Sequence, residues 1–206
     1  MSPAKIKLNA TSGGGSVSIE APSSSSNNRV FTLPDTADAT LLTTNSTVGK
    51  ILQFISTTKT DRFTTQSTSM VDVTGMTRTI TPSSSSNKIF ISTTLCVGHD
   101  AGAYPAFNLL RDSTHIAVPT GNAVIGGSGR NTSFGPIGIL DSYKLEVITF
   151  NFLDEPADTN AHTYKLQVSL GQSNKNMSLN QPISFDNAYT YPANGVSTFT
   201  VMEVAP

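Results

Sequence analysis

The pattern of apolar and polar positions divides the chain near residue 49. Beyond it, Tyr164, Leu166, Val168 and Leu170 alternate with Lys165, Gln167 and Ser169, the period of two of a half-buried strand. Ile89, Ile91, Leu95 and Val97 share one face of another strand, with Thr93 between them. Leu145 and Val147 oppose Ile148, Phe150 and Phe152, a run apolar on both sides that predicts a strand covered on both faces. Residues 108–118 read as a hairpin turning at Arg111-Asp112-Ser113-Thr114, and residues 197–204 as a closing strand. Strands this frequent, separated by turn residues, predict an all-β fold: a jelly-roll-like antiparallel β-sandwich over residues 49–206.

Residues 1–48 follow a different pattern, that of an extended N-terminal arm of short strands. Four apolar pieces are centred on Ile6 and Leu8, on Val17 and Ile19, on Val30, Phe31 and Leu33, and on Leu41 and Leu42. Between them lie Ser12-Gly13-Gly14-Gly15-Ser16, Pro22 with four serines, and Pro34-Asp35-Thr36-Ala37-Asp38. Such pieces bury too little to offset a backbone ordering cost of about 1–2 kcal/mol per residue. The arm is therefore expected to owe its order to sister chains or to a larger particle, and these nine apolar residues are its candidate assembly contacts.

Composition sharpens this picture. Ser and Thr number 26 and 28, about a quarter of the 206 residues, while charged residues make up 13%, roughly half the usual share. Thr suits a pleated surface, so the sheets are expected to have uncharged faces. The formal net charge is −1 with no basic block, which argues against a nucleic-acid partner, since phosphate binding needs a cationic stripe. No apolar run approaches the roughly 20 residues of a membrane-spanning helix, so no membrane insertion is expected. The N-terminal residues lack a signal-peptide pattern. The lone Cys96 reads as a small buried hydrophobe.

Signatures of catalysis are missing. Gly49-Lys50 lacks the spacing of a phosphate loop, and Gly126-Gly127-Ser128-Gly129-Arg130 fails as a hydrolase elbow. His99, His115 and His162 stand apart, without zinc spacing, and read as loop or strand-surface residues. Asp154-Glu155-Pro156-Ala157-Asp158 holds the densest carboxylates; a solvated turn is favoured over a metal site or a glycan-cleaving pair. The expectation is a non-enzyme with no cofactor, no catalytic residue and no metal. Three long loops, residues 98–106, 119–138 and 171–195, supply candidate surface-recognition residues: Tyr104, Arg130, Phe134, Tyr189 and Tyr191. Packing of these rings onto their own domain is the competing reading. Pro22-Ser23-Ser24-Ser25-Ser26-Asn27 recurs as Pro82-Ser83-Ser84-Ser85-Ser86-Asn87, which reads as a reused turn.

Several stretches resemble structural proteins of tailed bacteriophages, marine and cyanobacterial ones especially. They are residues 12–22, Phe31-Thr32-Leu33-Pro34-Asp35-Thr36-Ala37-Asp38, Leu41-Leu42-Thr43-Thr44, Gly49-Lys50-Ile51-Leu52-Gln53 and Ser56-Thr57-Thr58-Lys59-Thr60-Asp61. Leu109-Leu110-Arg111-Asp112-Ser113-Thr114 and Phe199-Thr200-Val201-Met202-Glu203-Val204 belong with them. The resemblance implies a homotrimeric virion component of fibre, tail-appendage or capsid-decoration type, assembled in the host cytoplasm and released by lysis. Its expected partners are other virion proteins of tail, head or capsid, and a host surface glycan or protein. The first expectation is a fibre or appendage whose arm anchors and whose β domain faces outward for host attachment. The alternatives are a capsid decoration (cement) protein and a glycan-binding or glycan-cleaving tip module.

Overall fold

The computed structural model describes residues 5–9, 11–20, 50–119, 132–135, 141–185 and 193–206. The chain divides into two compact units, residues 1–45 and 46–206. In the first, β1 (Lys5–Asn9) and β2 (Ser16–Glu20) form an antiparallel hairpin in which Ile6 faces Ile19 and Leu8 faces Val17 in register. Gly13 and Gly14 turn the chain at φ +82° and +71°, a region open to glycine because it lacks a Cβ. The candidate contacts Val30, Phe31, Leu33, Leu41 and Leu42 lie outside the described residues.

The second unit is built from β3 (Ile51–Lys59), β4 (Phe63–Thr65), β5 (Val71–Ile80), β6 (Lys88–His99), β7 (Ala106–Arg111), β8 (Thr114–Ile116), β9 (Glu146–Asp154), β10 (His162–Ser169), β11 (Met177–Leu179) and β12 (Ser197–Val204). Four antiparallel pairs nest inside one another along the chain: β7 with β8, β6 with β9, β5 with β10, and β3 with β12. Successive pairs fall in alternate sheets, ordered β5-β10-β7-β8 and β3-β12-β6-β9. That wrapping is the jelly roll expected from the strand pattern. β11 continues the β12 row along β6, and β4 continues the β3 row beside it.

The core lies between the two sheets. Ile89, Ile91, Leu95 and Val97 of β6 and Phe199 and Val201 of β12 face Tyr164, Leu166 and Val168 of β10 and Phe107 and Leu109 of β7. Their alternation with polar neighbours is the period of two read from the sequence. β9 differs from expectation. Ile148, Phe150 and Phe152 pack on the core, but Val147 and Leu153 on its other side are 62% and 47% exposed. The strand is an edge of its sheet with one face uncovered, so apolarity on both sides did not mean burial on both sides.

Where β11 ends and β12 begins, Asn180 splices the rows. Its Nδ2 donates to the carbonyls of Lys59 and Asp61 at 2.8 and 2.9 Å, and its Oδ1 accepts from Ser197 Oγ at 2.6 Å. Its backbone N–H donates to Cys96 O at 2.8 Å while its carbonyl accepts from Gly195 N at 2.9 Å. A Cβ at Gly195 would stand 2.6 Å from Cys96 Sγ, so this close approach requires glycine. Cys96 is buried, as expected, but beneath residues 195–196 on the outer side of the sheet.

Candidate functional site

Polar chemistry concentrates at the sandwich end formed by the β7–β8 turn and the β9–β10 loop. Arg111 donates from Nη1 to Asp154 Oδ2 at 2.7 Å, and the Tyr164 hydroxyl donates to the same oxygen at 2.6 Å. Because Arg111 and Tyr164 belong to one sheet and Asp154 to the other, these bonds clamp the two layers. Burial, then the neighbouring Asp154 carboxylate, pushes the Tyr164 hydroxyl pKa upward. Asp154 is buried, not part of a solvated turn as the sequence suggested, because Arg111 and Tyr164 replace its water. Glu155 reaches Lys88 at 2.6 Å.

His162 lies between two carboxylates. Its Nδ1 is 2.8 Å from Asp112 Oδ2 and its Nε2 is 3.0 Å from Asp158 Oδ1. Burial opposes its charge, but the two carboxylates outweigh this and raise its pKa above the ordinary value. The contact with His162, then the Thr163 N–H, lowers that of Asp112; the Asn160 N–H leads in lowering that of Asp158. His99 and His162 are buried, correcting their reading as surface residues. Residue type alone did not reveal that each would be enclosed, His99 at the end of β6 and His162 by its carboxylates. His115 is half-buried beside Ser133 Oγ at 3.0 Å, and burial lowers its pKa. Each carboxylate of the 154–158 cluster thus has its own cationic or hydroxyl partner, and the arrangement staples strands together.

A second polar centre was not legible in the sequence. Glu203, fully buried on β12, accepts from Ser83 N, Ser83 Oγ and Asn87 Nδ2 at 2.6, 2.8 and 2.6 Å, and from Gln53 Nε2 at 2.5 Å. Burial works against its charge, yet the donors, led by Asn87, hold its pKa below the ordinary carboxylate value. The serine-rich turn at 82–87 is thereby moulded around one carboxylate. The recurring Pro-Ser-Ser-Ser-Ser-Asn motif was the available signal, but nothing in it points to residue 203.

The recognition candidates separate. Tyr104 is exposed at φ +48° in the turn after β6. Phe134 is half-buried and stacks between Phe107 and Phe150, with ring centroids 4.9 and 4.6 Å apart; its ring packs the loop onto its own domain. Arg130, Tyr189 and Tyr191 lie outside the described residues. Of the arm candidates, Ile6, Leu8 and Ile19 are 66%, 62% and 57% exposed on the hairpin, and Val17 pairs with Leu8. A cleft of about 350 Å³ opens beside Cys96, Tyr143, Leu145, Val147 and Asn194, with Lys144 at its lining.

No protein-family model matches the chain and no curated protein matches its sequence. Among solved structures, it is similar to the structure of infectious bursal disease virus, Gx strain, at 12% identity and a TM-score of 0.38, covering 97% of this chain and 45% of that one. It is also similar to the VP2 subviral particle of infectious bursal disease virus, at 15% identity and a TM-score of 0.34, covering 92% of this chain and 46% of that one. The chain thus spans less than half the length of the structures it matches, and the functional reading rests on its own residues.

Proposed function

We propose that the protein is a structural component of a phage virion: a trimeric fibre or appendage subunit whose residues 1–48 anchor or intertwine and whose jelly roll faces outward. The observation that carries this reading is the hairpin of residues 5–20. Its aliphatic residues Ile6, Leu8 and Ile19 stand in water, and a two-stranded ribbon by itself is marginal. Interleaving with sister chains or virion proteins supplies the missing burial and the closed symmetry that identical chains favour.

Deletion of residues 1–48 tests the proposal. Sedimentation equilibrium of the full chain is expected to give three copies, and of the truncated chain one. A truncated chain that stays trimeric but no longer binds phage heads would instead establish the decoration reading. A full-length chain that sediments as a monomer with a protease-resistant arm would overturn both.

A further inference from the structure

Packing and chemistry make opposed demands at Asn194-Gly195, the one Asn-Gly pair in the chain. Packing requires the glycine: a Cβ at residue 195 would stand 2.6 Å from Cys96 Sγ and 2.7 Å from Cys96 Cβ. Chemistry penalises it. Asparagine is thermolabile because the nitrogen of the following peptide can attack its side-chain amide carbon. That attack is least hindered when the next residue lacks a Cβ. Asn194 is exposed at the lining of the cleft beside Cys96, so water reaches it. The nucleophile, however, is tied up by the fold. Gly195 N–H donates to Asn180 O at 2.9 Å, and the nitrogen must leave that acceptor and lose its proton before it can attack.

We propose that Asn194 is a latent self-modification site, held unreacted by the Asn180 splice, whose conversion uncovers Cys96. When residues 194–196 lift away, Gly195 N loses its proton and bonds to Asn194 Cγ. The Cγ–Nδ2 bond breaks, and the departing nitrogen takes up that proton and leaves as ammonia. Solvent water then opens the cyclic imide at either carbonyl. Opening at Cγ gives aspartate; opening at the main-chain carbonyl gives isoaspartate, whose main chain runs through Cβ and Cγ. Nothing is oxidised or reduced: one water is consumed and one ammonia released. The isoaspartyl link lengthens the chain by a methylene where Gly195 has to reach both Asn180 O and the back of Cys96. The lengthened chain cannot keep both contacts. Cys96, buried and bonded from Sγ to Val196 O at 3.3 Å, then loses its cover. Asn180 sets how often the lift occurs. At φ +68° it commits its side chain to Lys59 O, Asp61 O and Ser197 Oγ, which fixes the carbonyl that receives Gly195.

The test ages the full-length chain at mildly alkaline pH, folded and in urea, and reads isoaspartate by methyltransferase labelling with peptide mass mapping. Cys96 is followed in the same samples by its reaction with a chromogenic disulfide. The folded chain is expected to convert Asn194 at least about tenfold more slowly than the unfolded chain, because reaction waits on local opening. Asn180→Gly tolerates the same backbone conformation and removes the three side-chain bonds. It is expected to raise the folded rate by about fivefold or more, the factor of one net hydrogen bond. If Asn180→Gly does not fold by circular dichroism, Ser197→Ala decides, since it removes the bond to Asn180 Oδ1 and the one accepted from Cys96 N. Reactive Cys96 is expected only in converted molecules, and not in aged Asn194→Ala protein. Equal rates in folded and unfolded chains, or a folded variant that converts no faster than the native chain, overturn the protection by the splice. Converted chains whose Cys96 stays as unreactive as in fresh protein overturn the uncovering. Every outcome leaves the virion reading as it stands.

Discussion

Replacing Glu203 by Gln probes how a fully buried carboxylate is tolerated in a sheet. The native side chain accepts three bonds at one oxygen and a fourth, from Gln53, at the other. In the variant, the amide oxygen can keep the three donors of Ser83 and Asn87, but each bond loses its charge assistance, about 1 kcal/mol apiece. The new amide nitrogen then meets the Gln53 nitrogen, which already donates to Thr81 O at 2.7 Å; a donor there loses its acceptor, about 1 kcal/mol more. Relief of the burial penalty returns part of this. The net expectation is a loss of about 2 kcal/mol, a fall in Tm of roughly 4–8 °C for a unit of this size. Calorimetry and urea titration at neutral pH measure it. The pH dependence adds a second check. A carboxylate whose folded pKa is depressed contributes stability above its ordinary value of 4.5, and that contribution fades as pH falls through the folded pKa. The gap between native and Glu203→Gln proteins should therefore be full near neutrality and narrow in acid. A variant as stable as the native chain at neutral pH, or a gap that widens in acid, would refute the reasoning.

His162 is expected to act in the opposite direction. Its folded pKa is raised, so its stabilisation is complete below the ordinary value of 6.5 and is lost as pH climbs through the folded pKa. The advantage in Tm of native over His162→Gln protein should shrink as pH is taken from about 6 to about 9; a constant difference would show that the imidazolium is not needed between Asp112 and Asp158. Gly195→Ala forces a methyl against Cys96, whose Sγ and Cβ would lie 2.6 and 2.7 Å away. A loss of about 1–3 kcal/mol is expected in urea titration, partly recovered in the Cys96→Gly background; an unaffected midpoint would mean that the splice at Asn180 yields easily.

Much of the architecture could be read before the fold was known because each strand's inward face is written locally. The alternation of Tyr164, Leu166 and Val168, or of Ile89 and Ile91, follows from the two-residue pleat, which depends on no distant partner. The turn at Arg111–Thr114 and the closing strand were legible for the same reason. The isolated apolar pieces of the arm were legible in the same way, and they are the basis of the expectation that it makes contacts beyond itself. Register was different. That Phe54, Met202, Phe90 and Leu153 align in one row, while Asp72 and Lys165 meet on the opposite face, depends on pairing strands far apart in sequence, and the nested wrapping of the jelly roll sets those pairs. The same wrapping brought Glu203 under the turn at 82–87, buried Asp154 between Arg111 and Tyr164, and left one side of β9 in solvent. Burial and ionic partnership are properties of what lies across a sheet or between sheets, and an alternating pattern of residues carries no record of its neighbour.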